Sequence, residues 1–382
     1  MPIDISLATP LLGGLSPRQF MKTYWHKKPL LIRQAIPGFK PLLTRQALFD
    51  LAAQEGVESR LVAQGAGGWQ FRHGPFERRQ LPALKTPEWT LLVQGVDLHV
   101  RAVHELMQQF RFVPEARLDD LMISYATDGG GVGPHFDSYD VFLLQAHGKR
   151  RWRIGRQKDM SLRDDVPLKI LAHFEAEEEW VLEPGDMLYL PPRYAHDGVA
   201  EGECMTYSVG FRSPNKGELT REILLRLADE VQEGLGEGIY KDPRQVAVTR
   251  PGEIPDALVD FARDALQEAL SDPSVLYRAL GEVLTEPKSN VWFDSEAVGD
   301  PSRNGLRLSI RTRMMYDQDR IYINGEGFDA AGRDAELMRG LADVRGLSSA
   351  AYRQLSRQAK TLVQDWLDAG WLLVPDAEDV TP

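Results

Sequence analysis

Hydrophobic and polar positions change rhythm several times along the chain. Up to about residue 100, short helical and extended patterns alternate. Ser16-Pro17 predicts a helix start, with Ser16 as N-cap and proline at the first helical position. Residues 29–32 read as a short apolar strand. Residues 44–53 read as an amphipathic helix with Leu48, Leu51 and Ala52 on one face. Trp69, Phe71 and Phe76 suggest further strand or turn structure. Between 119 and 213 the pattern becomes β-rich. Runs at 121–125, 139–145, 151–154, 180–182, 187–190 and 205–211 are separated by Gly- and Pro-bearing turns, which predicts a β-sandwich or barrel.

From 217 to about 285 the spacing turns helical. Leu219, Ile223, Leu224, Leu227 and Val231 fall three and four apart, as do Leu258, Phe261, Leu266 and Leu270. Such stripes must be buried, as a lid over the sandwich or in a dimer contact. The last block predicts strands at 306–313 and 320–323, helices at 335–344 and 348–369, and a final strand at 370–374. Helices followed by a small sheet fit a winged-helix type of module.

The length of 382 residues predicts two or three domains. A net charge of −11 argues against a protein held to nucleic acid by overall charge. Residues 329–382 mix both signs, so no basic recognition face is evident and no direct DNA binding is expected. The single cysteine, Cys204, excludes an intrachain disulfide and a thiolate zinc cluster; it reads as a small buried residue. No secretory signal is evident and the apolar runs are too short to span a bilayer. The expectation is a soluble cytoplasmic protein.

The chemistry concentrates in Gly133-Pro134-His135-Phe136-Asp137. On a strand, His135 and Asp137 would share one face. The tripeptide alone also suits an ordinary polar strand end. A Gly-rich turn before it, the β-rich frame, and His196 after Pro191-Pro192 shift the weight toward a metal site. Two histidines and a carboxylate leave one side of a metal open, the arrangement of non-haem Fe(II) oxygenases. In 149–153, alternation turns Arg150 and Trp152 one way and Lys149, Arg151 and Arg153 the other. Arg150 could then face inward and bind the far carboxylate of a 2-oxoglutarate cosubstrate; alternatively all four basic residues form a solvated edge. His26, His73, His99, His104, His147 and His173 lack a partner at ligand spacing, His147 lying nearest the site. No nucleophile elbow, Walker loop or dinucleotide fingerprint is present.

Several segments carry a resemblance to a known family. They are Tyr24-Trp25-His26-Lys27-Lys28-Pro29-Leu30, the stretch 129–142 around Gly133-Pro134-His135-Phe136-Asp137, Glu183-Pro184-Gly185-Asp186-Met187-Leu188-Tyr189-Leu190-Pro191-Pro192, His196, and Thr206-Tyr207-Ser208-Val209-Gly210-Phe211-Arg212. With them the chain resembles the JmjC-type cupin oxygenases, and more narrowly the bacterial ribosomal oxygenases that hydroxylate an arginine of ribosomal large-subunit protein sixteen. The resemblance implies a mostly β catalytic domain (a double-stranded β-helix) within 1–215, its core at about 95–215. A helical dimerisation segment at 216–285 and a winged-helix-like domain at 286–382 would follow. It implies Fe(II), 2-oxoglutarate and dioxygen, with His135, Asp137 and His196 as ligands and Arg150 clamping the cosubstrate. Ser124, or failing that Thr127, would assist Arg150. An arginine substrate wants carboxylates and an aromatic wall. Asp128, Tyr139 and Asp140 could supply them, or could serve as turn caps and core. A related oxygenase acting on a histidine of another ribosomal protein or on a small molecule, and a non-catalytic metal-binding cupin, are the competing readings.

Overall fold

The computed structural model describes residues 4–65, 67–235, 238–294 and 299–375, with the backbone alone for 229–235. Val231, assigned to the first apolar stripe, lies outside the described side chains. The chain divides into two compact units, 1–213 with 290–292, and 214–289 with 293–382.

Nine strands of the first unit form one sheet: β1 (Leu30–Ile32), β2 (Ser59–Gly65), β3 (Gly68–His73), β4 (Trp89–Val93), β5 (Leu118–Ala126), β6 (Val141–Gly155), β7 (Glu178–Leu182), β8 (Met187–Leu190) and β9 (Ala195–Phe211). The order is β1-β8-β6-β9-β5-β4-β2-β3, with β7 on β6. The long strands β6 and β9 pair antiparallel from Val141↔Gly210 to Gly155↔Ala195 and form its spine. The helices α1 (Pro17–Thr23), α2 (Arg45–Ala52) and α3 (Arg101–Gln108) accompany the sheet. Ser16 caps α1, as expected, and Gln19 reciprocates by accepting from the Ser16 N–H. The aromatic rings of Phe20, Phe142 and Tyr189 meet at centroid distances of 4.9–5.4 Å and anchor the core.

In β6 the expected alternation holds. Arg150, Trp152 and Ile154 are buried, while Lys149, Arg151 and Arg153 turn outward and pair with Glu183, Glu179, Glu201 and Asp197. Residues 135–137 do not form a strand. Gly133 is left-handed (φ 79°) and only His135 makes a bridge, to His196. Pro134 has no N–H to extend the ladder.

The second unit contains α4 (Lys216–Leu235), α5 (Asp256–Ala269) and α6 (Pro273–Thr285), then α7 (Pro301–Asn304), α8 (Gly332–Val344), α9 (Ser349–Arg353) and α10 (Arg357–Asp368). Two small sheets accompany them: β11 (Met314–Tyr316), β12 (Arg320–Ile323) and β13 (Glu326–Asp329) as a meander, and β10 (Leu306–Leu308) between β14 (Gly346–Leu347) and β15 (Leu372–Leu373). Met338, Leu341, Val363, Trp366 and Leu372 fill its core. Helix α6 packs against the meander of β11, β12 and β13. Gly281 leaves room for the Tyr322 ring, which a Cβ would meet at 2.5 Å. The single strand expected at 306–313 ends at Leu308. A turn follows, in which Thr312 bonds back to Ser309 and its hydroxyl to the Trp371 carbonyl. The single helix expected at 348–369 is two, because Ser356 caps a fresh start by accepting from the Ala359 N–H. The apolar stripe of α5 stays uncovered: Leu258, Phe261, Leu266 and Leu270 are 39–65% exposed. Among the described residues, no helix is long and apolar enough to cross a membrane.

Candidate active site

The backbone brings the two histidines together before any side chain is considered. His135 N–H donates to the His196 carbonyl at 3.0 Å, and His196 N–H returns a bond of 2.8 Å. Their rings lie 4.3 Å apart. Each Nδ1 faces a backbone carbonyl, of Gly133 at 2.9 Å and of Tyr194 at 3.0 Å. A carbonyl can only accept, so the proton sits on Nδ1 and Nε2 keeps its lone pair for a ligand. Asp137 joins by its Oδ2, 3.7 Å from His196 Nε2. The Arg193 N–H anchors the Asp137 carbonyl at 2.7 Å. One ligand atom from each of the three residues lies within 4.8 Å of the others. Burial, then the neighbouring His135, pushes His196 down to about 4, so it is the neutral, metal-binding form at neutral pH. Two imidazole nitrogens and one carboxylate oxygen are the donor set suited to Fe(II).

The three residues line a cavity of about 300 Å³ that Arg150 also lines. Arg150 is 3% exposed. Its guanidinium donates to Ser124 Oγ (3.0 Å), Thr206 Oγ1 (3.4 Å) and the Gly198 carbonyl (3.3 Å), and lies 5.2 Å from the centre of the Trp152 ring. Its Nε has no hydrogen-bond partner among the described residues. No carboxylate of the described residues pairs with it. A buried cation with only neutral neighbours is expensive to maintain; an anionic ligand would complete it. Gly198 permits this arrangement, since a Cβ there would meet Trp152 at 2.6 Å and Arg150 Nε at 2.9 Å.

Ser124 therefore touches Arg150, whereas Thr127 does not line the cavity: its hydroxyl bonds with the Trp89 backbone. Tyr139 lines the cavity. Burial, then the carboxylates of Asp137 and Asp120, pushes its phenol far up and keeps it neutral. Asp128 and Asp140 lie elsewhere. Asp128 is exposed and caps a turn by accepting from the Gly202 N–H at 2.7 Å. Asp140 is fully buried, bonded to the Tyr189 hydroxyl at 2.6 Å and 2.9 Å from His26 Nε2. Asp119 and Asp120, which no motif marks, line the cavity instead. Asp120 accepts from Gln94 Nε2 at 2.6 Å and from the Gly95 N–H at 3.1 Å. His147 is exposed and not part of the site. His26 lies outside the cluster of His135, Asp137 and His196, and pairs with Asp140.

Comparison with known proteins points the same way. Two family models match, the JmjC domain over residues 105–219 and the ROXA-like winged helix over 268–373. The chain is 36% identical over 328 residues to the ribosomal protein uL16 3-hydroxylase of Escherichia coli (strain K12), covering 83% of this chain and 86% of that protein. An X-ray structure of E. coli YcfD superposes with a TM-score of 0.82 at 31% identity, covering 93% of this chain and 97% of that one. The structure of YcfD, a ribosomal oxygenase, in complex with cobalt and 2-oxoglutarate gives 0.76 at 32% identity, covering 94% and 98%.

Proposed function

The chain belongs to the JmjC-type ribosomal oxygenases, and on that premise we propose that it hydroxylates an arginine side chain of ribosomal protein uL16. It is a 2-oxoglutarate-dependent dioxygenase that uses Fe(II) and dioxygen, built as a mostly β JmjC domain, a helical segment and a winged-helix domain. In this reading His135, Asp137 and His196 hold the iron and Arg150 holds the far carboxylate of 2-oxoglutarate. The observation that carries it is the buried, uncompensated Arg150 guanidinium in the same cavity as the three ligands.

Bound iron with its cosubstrate supplies the oxidising power to convert an unactivated C–H bond into C–OH. The remaining tasks fall to the chain's own residues. The carbonyls of Gly133 and Tyr194 keep both imidazoles turned with Nε2 toward the metal position. Thr206 donates to Gln145 and so offers its oxygen to Arg150, whose fork is set before a carboxylate arrives. Val62, Leu92, Met122 and Leu143 line the cavity with apolar surface that excludes water. Tyr139 with Asp119 and Asp120 gives a guanidinium both an aromatic face and carboxylates.

Incubating the enzyme with isolated uL16, Fe(II) and 2-oxoglutarate tests the reading by intact mass. One added oxygen, mapped to an arginine, is expected. Oxygen on a histidine of another ribosomal protein would move the target, and absence of 2-oxoglutarate-dependent succinate would defeat the enzymatic reading altogether. A ribosomal protein as target also assigns the reaction to the cytoplasm. We further infer a homodimer through the helical segment, supported by the uncovered Leu258, Phe261, Leu266 and Leu270.

A further inference from the structure

The sheet of the first unit ends at β3, and that end borders the active-site cavity. β3 pairs with β2 from Arg60↔His73 to Gly65↔Gly68, and among the described residues no further strand lies beyond it in the order. The bond from Gly74 N–H to the Ser59 carbonyl sets the phase of this ladder. Antiparallel alternation then turns the main-chain groups of Gly68, Gln70 and Arg72 toward β2, and those of Trp69, Phe71 and His73 outward. Those outward groups make no main-chain hydrogen bond among the described residues. Their side chains share one face. Phe71 lines the cavity. Trp69 packs against Gly133, where a Cβ would lie 3.3 Å from its Cζ2, and the Gly133 carbonyl holds the ligand His135. Edges are commonly guarded by charge. Here Arg72 and His73 guard only the last third of the strand, while Trp69, Gln70 and Phe71 leave the middle open.

We propose that the protein substrate docks as an added β-strand on the outer edge of β3, which rests on the reading of this chain as a protein hydroxylase. The residue opposite Phe71 then turns its side chain to the cavity face, beside the loop that carries His135 and Asp137. Main-chain bonds supply the affinity and the cavity selects the side chain. The occupant is an extended segment around the target arginine, because the cavity accepts a side chain and the edge accepts the backbone on either side of it.

Backbone N-methylation, one position at a time along a uL16 segment centred on the target arginine, tests the docking mode. Turnover is measured with the full-length iron enzyme and 2-oxoglutarate, and binding by fluorescence anisotropy without dioxygen. A period-two profile is expected: alternate positions raise Kd and KM about tenfold, their neighbours much less, and kcat moves less than KM. The parity of the profile reports whether the segment runs parallel or antiparallel. On the enzyme, Phe71→Pro removes an outward N–H that Phe71→Ala retains, so KM should rise further in the proline variant while both melt cooperatively. A flat N-methyl profile with normal hydroxylation of the unmodified segment overturns the docking mode alone. A Phe71→Pro variant that changes oligomeric state and not KM also overturns it, by assigning the edge to a second copy. No oxygen on intact uL16 overturns the substrate reading, and this one with it.

Discussion

The two compact units of the chain differ in what they leave unfinished. Residues 1–213 carry 25 basic and 26 acidic side chains, whereas residues 214–382 carry 20 and 30. Nearly the whole net charge of −11 therefore belongs to the second unit. The first buries most of its large apolar side chains and leaves a polar need inside, a guanidinium with no counter-ion among the described residues and three donor groups close together. The second leaves an apolar need outside, on α5. One unit presents a site for small ligands and the other an apolar surface. A net charge read as one number conceals this: only the second unit can use acidity to attract a basic partner at long range.

The comparison can be broken at its strongest point first. Asp137→Ala should abolish iron-dependent succinate formation and leave the oligomeric state unchanged; turnover at the wild-type rate would remove Asp137 from the metal site. Arg150→Ala should raise the 2-oxoglutarate concentration needed for half-maximal turnover about 10- to 100-fold, the weight of charged hydrogen bonds to a carboxylate. An unchanged requirement would move the clamp elsewhere. On the other side, Phe261→Asp should shift the protein toward monomer in sedimentation at micromolar concentration, with turnover per chain unchanged. A monomeric wild type would show that the α5 stripe serves something other than self-association.

The smallest effect concerns the first unit alone. Burial raises the Asp186 carboxyl, but the Gln34 and Glu183 N–H groups and Arg33 outweigh it and hold the group below its ordinary 3.8. A depressed acid stabilises the fold fully above its unfolded pKa and loses that contribution as pH falls through the folded value. Asp186→Asn should cost about 1–2 kcal/mol near neutrality, and the difference from wild type should shrink below pH 3.8 in acid-unfolding curves.

The cluster of His135, Asp137 and His196 was legible because local chemistry announced it: a left-handed glycine, a proline and two donor side chains within five residues, and a third after a proline turn. Arg150 was legible through strand alternation, since β6 is regular there. Asp119 and Asp120 were not. The register of β5 against β9 slips between Leu118 and Asp120, so counting by twos cannot say which carboxylate faces inward. Asp128 and Asp140 looked plausible by sequence proximity to the tripeptide, yet proximity says nothing about a residue captured by a distant partner. Asp140 belongs to Tyr189 and His26, both far along the chain. The broken strand at 306–313 and the divided helix at 348–369 were missed for a related reason. A hydroxyl that ends one element and starts the next leaves the apolar pattern almost intact.

The reciprocal backbone bridge between His135 and His196 has a thermodynamic consequence. The two histidines are sixty-one positions apart, and the protein itself closes that loop. The entropy of closure is thus settled during folding, before any ion arrives. Metal binding should then be fast and readily reversible, set by donor strength and competing water. Removing the ion with a chelator should lower the melting temperature only modestly, unlike small domains whose fold exists only with metal.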